Sequence, residues 1–319
     1  MNKKEIIKYL IFAAIGVLVV YSIQKGLTFD DLMKNLKEAK IHFVVLSTLV
    51  GVLAVLFRAL RWQLLLKPMG YETRLDNAYH ATMSGYLINL GIPRSGEVAR
   101  CALFSKTDKV PVNVLVGTVL SERVLDLVML MIVVISAVLF QFDLLYGYVY
   151  ENVIVKLQSN SIVLGGVVLV LLAGLIIAFK SKKLFSAETK IGKMLLGFFD
   201  GIKSIFALKQ PILFIAYTVG IWVCYWMMTY FILMAFDFTE ALGLSGGLSA
   251  LVFSSIGVII PAPAGSATIY SIYIGLNQIY HLNLEQAKAI GIVMFSSNIL
   301  MILLAGTISY IILARRTKA

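Results

Sequence analysis

Glu122, Arg123 and Asp126 stand inside an apolar run that extends from 112 to 140. A helix beginning at Val112 carries Glu122 about 15 Å from its start, near the middle of a hydrocarbon core about 30 Å thick. Each charge at that depth costs on the order of 3 kcal/mol on insertion scales. Glu122 and Asp126 lie on one helix face, and Arg123 is spaced to pair with Asp126. Two chemistries fit this triplet. It can be a buried ion pair that ties helices together. It can also be the wall of a hydrated cavity that takes up a proton or orients a polar headgroup.

A second group of polar residues interrupts apolar sequence upstream, in Gly85-Tyr-Leu-Ile-Asn-Leu-Gly-Ile-Pro-Arg-Ser-Gly-Glu97 and on to Arg100. A helix broken at Ile92-Pro93 exposes backbone N–H groups, and with Arg94 beside the break these suit a phosphate. Asn89, Glu97 and Arg100 join Arg94 as candidate substrate-binding residues. Glu97 and Arg100 are spaced to pair with each other, and Arg94 and Arg100 can alternatively anchor the segment at headgroups. Arg58 and Arg61 close an apolar run over 42–60, where they either snorkel to the headgroups or form a rim that gathers anionic ones.

The third interruption is uncharged: Gly257-Val-Ile-Ile-Pro-Ala-Pro-Ala-Gly-Ser-Ala-Thr268. It contributes Pro261, Pro263, Ser266 and Thr268, followed by Tyr270. Asn298 falls close to the position that corresponds to Glu122 in the other half of the chain. A charged floor facing a hydroxyl-rich wall suits an amphiphile better than a bare ion, although Ser and Thr also serve ordinary helix packing.

The elements that must hold these residues are membrane helices. Of the 319 residues, 60% are hydrophobic and 14% charged, with a mean hydropathy of +0.89; soluble domains are about half apolar. Spans are expected at 7–23, 42–60, 112–140, 161–179, 211–235 and 289–313. The interrupted regions, 79–104 and 243–277, read as re-entrant hairpins, because irregular backbone survives at membrane depth only against protein or water. Lysine and arginine flank the first on both sides, placing its ends in the cytoplasm, whereas both flanks of the second are poor in positive charge. The expected fold is therefore all-α and polytopic, with six transmembrane helices plus two re-entrant hairpins in an inverted repeat. The halves are 1–140 and 141–319, within a single integral membrane domain whose termini are both cytoplasmic. Residues 188–207 have the spacing of an interfacial amphipathic helix. Thr28-Phe-Asp-Asp31 opens a short surface helix.

Other classes of function are excluded by pattern. The net charge of +11 comes from short segments beside apolar spans, as membrane orientation requires, and does not imply nucleic acid. Two cysteines, Cys101 and Cys224, make neither a disulfide framework nor a metal site, and His42, His80 and His281 read as interfacial. No metal or other cofactor is expected. No phosphate loop, His-Glu-x-x-His or nucleophile elbow occurs, so no enzymatic activity is expected. The N-terminal apolar run lacks a small-x-small cleavage site and reads as a retained first span. Gly243-Leu-Ser-Gly-Gly247 is a small-residue contact that would suit a homo-oligomer.

Arg58-Ala-Leu-Arg-Trp62, Tyr86-Leu-Ile-Asn89, Ile92-Pro-Arg-Ser-Gly-Glu-Val-Ala-Arg100 and Ser121-Glu-Arg-Val-Leu-Asp126 together resemble the transmembrane region of lysylphosphatidylglycerol synthases and its stand-alone flippase-like relatives. That family carries Arg-x-x-Arg-Trp, Asn, Pro-x-Arg-x-Gly-Glu-x-x-Arg and Glu-Arg-x-x-Asp in this order. Its second hairpin has a proline and a glycine run followed by an acidic residue or histidine; Pro261-Ala-Pro-Ala-Gly-Ser-Ala-Thr-Ile-Tyr270 departs from this. The resemblance implies a lipid translocase of the bacterial cytoplasmic membrane. Aminoacylated phosphatidylglycerol and lipid-linked sugars are the implied substrate classes. An ion-coupled carrier of a small soluble anion and a non-transporting scaffold are the alternatives.

Overall fold

The computed structural model describes residues 37–92, 95–149, 208–259 and 266–317, and every regular element among them is helical. In chain order they are α1 (Ile41–Leu66), α2 (Leu75–Gly91), α3 (Gly96–Asp108), α4 (Val112–Phe140), α5 (Phe142–Val149), α6 (Pro211–Met234), the single turn α7 (Asp237–Glu240), α8 (Gly243–Ile259), α9 (Ser266–Tyr280) and α10 (Leu284–Arg316). Local signals set several of the boundaries. Pro211 occupies the first turn of α6, where its missing N–H costs nothing. The side chain of Asn283 accepts the Gln286 N–H at 2.8 Å and caps α10.

Among the described residues four helices are long and apolar enough to cross a membrane: α1 with the short 3₁₀ turn that extends it to Met69, α4, α6 and α10. They coincide with four of the expected spans, and the protein is a multi-pass membrane protein. The limit expected for the first of these, residue 60, needs correction. Continuous hydrogen bonding carries α1 to Leu66, so Arg58 and Arg61 sit inside the helix and not at its mouth. α10 is also longer than expected, at 33 residues. The expected spans 7–23 and 161–179, the interfacial helix 188–207 and the short helix opened at Thr28 lie outside the described residues.

The interrupted regions form two helix pairs. α2 gives way to α3 across 92–95, and α8 to α9 across 260–265. In each pair the outer ends lie together. Asp108 at the end of α3 accepts the backbone N–H of Arg74 and the side chain of Asn77, both at 2.9 Å, at the start of α2. Gln141 donates to the Ser245 carbonyl and the Ser249 hydroxyl on α8, and accepts from the Tyr280 hydroxyl at the end of α9. Beside each break the backbones nearly touch. A Cβ on Gly96 would lie 2.4 Å from the Gly85 carbonyl oxygen, and one on Gly257 would lie 2.4 Å from the Thr268 Cα. Only residues without a side chain allow that approach. In both pairs the touching residues are eleven positions apart in sequence.

Packing follows the same correspondence. α1 lies along α6, α10 packs on α2, and α4 packs on α8. One end of the bundle gathers Arg74, Asp76, Asn77, Asp108 and Arg316, with Arg316 paired to Asp76 at 2.8 Å. At the other end Lys40 pairs with Asp237 at 2.6 Å and Glu240 at 3.0 Å. Hydrogen bonds to these two acids, Asp237 first, raise the ammonium pKa above its ordinary value. The Lys40 N–H also donates to the Ala235 carbonyl at 2.8 Å, fixing α1 and α6 antiparallel. Lys67, Lys106, Lys109, Lys209 and Arg315 flank the first end, which is the basic one.

Candidate functional site

The fifth and sixth turns of α1 place Arg58, Arg61 and Trp62 on neighbouring positions of one face, directed at α3 and α4. The Trp62 indole N–H donates to the Thr118 hydroxyl on α4 at 2.8 Å. The indole packs on Phe104 of α3, with ring centroids 4.7 Å apart. The Arg100 guanidinium lies 4.6 Å from the Trp62 ring, a cation–π contact in a desolvated setting. Trp62 is fully buried and so fixes the spacing of three helices at once.

Ion pairs build outward from that contact. Arg100 donates to Glu122 Oε2. Arg61 donates through Nη1 to Asp126 Oδ1 at 2.9 Å, and its Nε lies 3.9 Å from Glu122 Oε1. Arg58 donates through Nη2 to Asp126 Oδ2 at 2.6 Å and through Nη1 to the Tyr86 hydroxyl on α2. At the outer edge Arg123 bridges Glu97 on α3 at 2.8 Å and Asp126 at 3.4 Å. Arg61 and Glu122 have no exposed side-chain surface, Arg58 and Arg100 have almost none, and Arg123 and Glu97 are 41% and 48% exposed. One network thus joins α1, α2, α3 and α4, dry at its centre and open at the Glu97–Arg123 edge.

Two expectations are corrected here. Arg58 and Arg61 are not a headgroup rim: the length of α1 buries both, and the acids of α4 hold them. Glu97 and Arg100 do not pair with each other. Their spacing permits it, but α4 offers each a better partner, Arg123 for Glu97 and Glu122 for Arg100. The i, i+3 contact between Arg123 and Asp126 is present.

The charges do not cancel. Four arginines (58, 61, 100 and 123) meet three acids (97, 122 and 126), leaving one positive charge. Arg58 Nε, Arg61 Nε and Nη2, Arg100 Nε and Glu122 Oε1 are buried without a hydrogen-bond partner. Such groups normally find partners, and guanidinium nitrogens are the more costly to leave without them. Arg61 Nε and Glu122 Oε1 face each other at ion-pair range, which leaves three unmatched donors and no unmatched acceptor.

Asn89 accepts from the Gly96 N–H at 3.5 Å, at the start of α3, and touches the cluster only through the helix pair. Arg94, Pro261 and Pro263 lie outside the described residues, as does the Ser266 side chain. Thr268 abuts Gly257 at the second break; Tyr270 is exposed and stands edge-on to Tyr273; Asn298 is half-buried. None of these three has a hydrogen bond or ion pair to the cluster. An open groove of about 800 Å³ lies between α1 and α2 among Leu53, Leu56, Tyr79 and His80, and the cluster residues do not line it. Among the described residues no group of acids, histidines and cysteines could hold a metal ion.

Sequence reasoning passed over Trp62, Tyr86 and Thr118 as site residues. A signal was present for Trp62, which directly follows Arg61 and shares a face with Arg58. Nothing local marks Tyr86 or Thr118, because their roles exist only where α2 and α4 meet α1.

The sequence profile described as the lysylphosphatidylglycerol synthase TM region matches residues 6–306. A UPF0104 membrane protein of Methanocaldococcus jannaschii is 29% identical over 129 residues, a stretch that covers 40% of this chain and 38% of that protein. No solved structure matches.

Proposed function

The chain belongs to the lysylphosphatidylglycerol synthase transmembrane-region family, and on that premise we propose that it is a lipid translocase. It moves a polar, phosphate-containing headgroup between leaflets while the acyl chains stay in the bilayer. The observation that carries this reading is the buried arginine cluster beside the α2–α3 break, with one positive charge and donors to spare. A headgroup phosphate supplies what those donors lack. The half-exposed Glu97–Arg123 bridge is the side from which it is reached.

The expected experiment is reconstitution of the full chain with fluorescent phosphatidylglycerol, the label in the outer leaflet being quenched chemically. Arg100→Gln should lower the protein-dependent rate at least tenfold, the equivalent of one charge-assisted hydrogen bond, in protein that remains monodisperse. An unchanged rate would remove Arg100 from the path. The scaffold reading has one observation in its favour, since every acid in the cluster is paired; it requires that wild-type vesicles move lipid no faster than empty ones.

The same reading takes α2–α3 and α8–α9 as re-entrant hairpins of two inverted halves, with the basic end in the cytoplasm. Both cysteines are buried and free, so an added surface cysteine reports alone. Glu240→Cys should label with a membrane-impermeant maleimide in intact cells, and Lys109→Cys only after permeabilisation. The opposite pattern would invert the topology.

A further inference from the structure

We propose that the site selects lipids whose headgroup carries net negative charge and rejects cationic ones, aminoacylated headgroups included; this rests on the translocase reading above. Three features of the chain point the same way. The acids of the cluster are already engaged: Asp126 by Arg58, Arg61 and Arg123, Glu122 by Arg100 with Arg61 facing its second oxygen, and Glu97 by Arg123. An incoming ammonium would have to displace a guanidinium from one of them. The groups left over are Arg58 Nε, Arg61 Nη2 and Arg100 Nε, all of them cationic donors on side chains more than nine-tenths buried. Finally, the second interrupted region, 243–277, contains no charged residue at all, so no carboxylate there can receive an amine.

Charge balance decides between the ligand classes. A phosphodiester of charge −1 neutralises the cluster and supplies acceptors to the three donors. A lipid cation adds a second uncompensated charge in a site with almost no water, where like-charge repulsion is least screened. A headgroup with both a phosphate and ammonium groups gains the first effect and suffers the second. A headgroup with a phosphate and hydroxyls gains the first alone.

The test uses the full-length wild-type protein in vesicles of neutral lipid with three fluorescent probes in separate preparations: phosphatidylglycerol, lysylphosphatidylglycerol and a trimethylammonium-propane lipid that has no phosphate. Each probe is also titrated against the detergent-solubilised protein, with the thermal transition as readout. Phosphatidylglycerol should move and stabilise at least about tenfold more effectively than either cationic probe. Equal or faster movement of a cationic probe, or equal stabilisation by one, overturns the selectivity. If no probe moves faster than in empty vesicles but phosphatidylglycerol alone stabilises the protein, translocation fails and the headgroup assignment stands. If none moves and none stabilises, both fail. Arg58→Gln removes one donor together with its charge, and should narrow the difference between probes. Selectivity unchanged in monodisperse Arg58→Gln would also count against the assignment.

Discussion

Glu122→Gln is expected to destabilise the folded protein by about 3 kcal/mol, the low end of the range for removing one partner of a buried ion pair. Glu122 has no exposed surface and is the acid that Arg100 and Arg61 face. Without its charge the cluster carries two unbalanced guanidinium groups where there was one. Glutamine preserves shape and keeps one acceptor for Arg100, so the loss reports charge and not a cavity. The measurement is the thermal transition of the purified protein, together with Arg100→Gln and the double variant. If the pair interaction dominates, the double variant is more stable than the sum of the single losses predicts. Strict additivity would show that Glu122 is held by something other than Arg100. Translocation should be lost in both single variants, since the positive cluster needs its acid to stay assembled.

The second large effect is steric. Gly96→Ala places a methyl 2.4 Å from the Gly85 carbonyl oxygen and 2.8 Å from the Asn89 Cβ; Gly257→Ala places one 2.4 Å from the Thr268 Cα. The obstacle at both sites includes backbone, which cannot step aside as a side-chain end can. Each substitution must therefore force a helix pair apart, at a cost of about 2–3 kcal/mol, toward the upper part of the overpacking range. Gly117→Ala on α4 is the control, since nothing lies within 4 Å of its added methyl. Glycine inside a helix is about 1 kcal/mol worse than alanine, so this variant should be neutral or stabilising. Melting temperatures of the three variants give the comparison. If Gly257→Ala were as stable as Gly117→Ala, the close approach of α8 and α9 would be disproved.

Membrane helices were largely readable from the sequence, because a run of apolar residues is set by the bilayer and not by neighbours. α4 and α6 show this, with limits matching the expected spans to within a residue. The end of α1 was misread because Arg58 and Arg61 are the residue type that usually marks a headgroup boundary. Whether such a side chain snorkels or turns inward depends on the acids of a helix more than 60 positions away, and local spacing carries no information about that. The same limit explains the pairing of Arg100. Intrahelical spacing offered Glu97, but α4 brought Glu122 into reach. The ends of α2 and α8 were legible from proline and glycine, and the identity of the small residues near them follows from backbone contact that only three dimensions reveal.

The length of α10 has its own consequence. Between Lys288 and Arg315 the helix rises about 40 Å, whereas the hydrocarbon layer is about 30 Å deep. With its charged ends kept at the two surfaces, the helix either leans or carries its end turns into the headgroup layers. Gly306 of this helix rests against Met83 and Leu87 of α2, so a lean that changes drags on the segment carrying Tyr86 and Asn89. Longer acyl tails favour a more upright α10 and shorter tails a flatter one, so this contact is where a change of bilayer thickness would reach the broken helix.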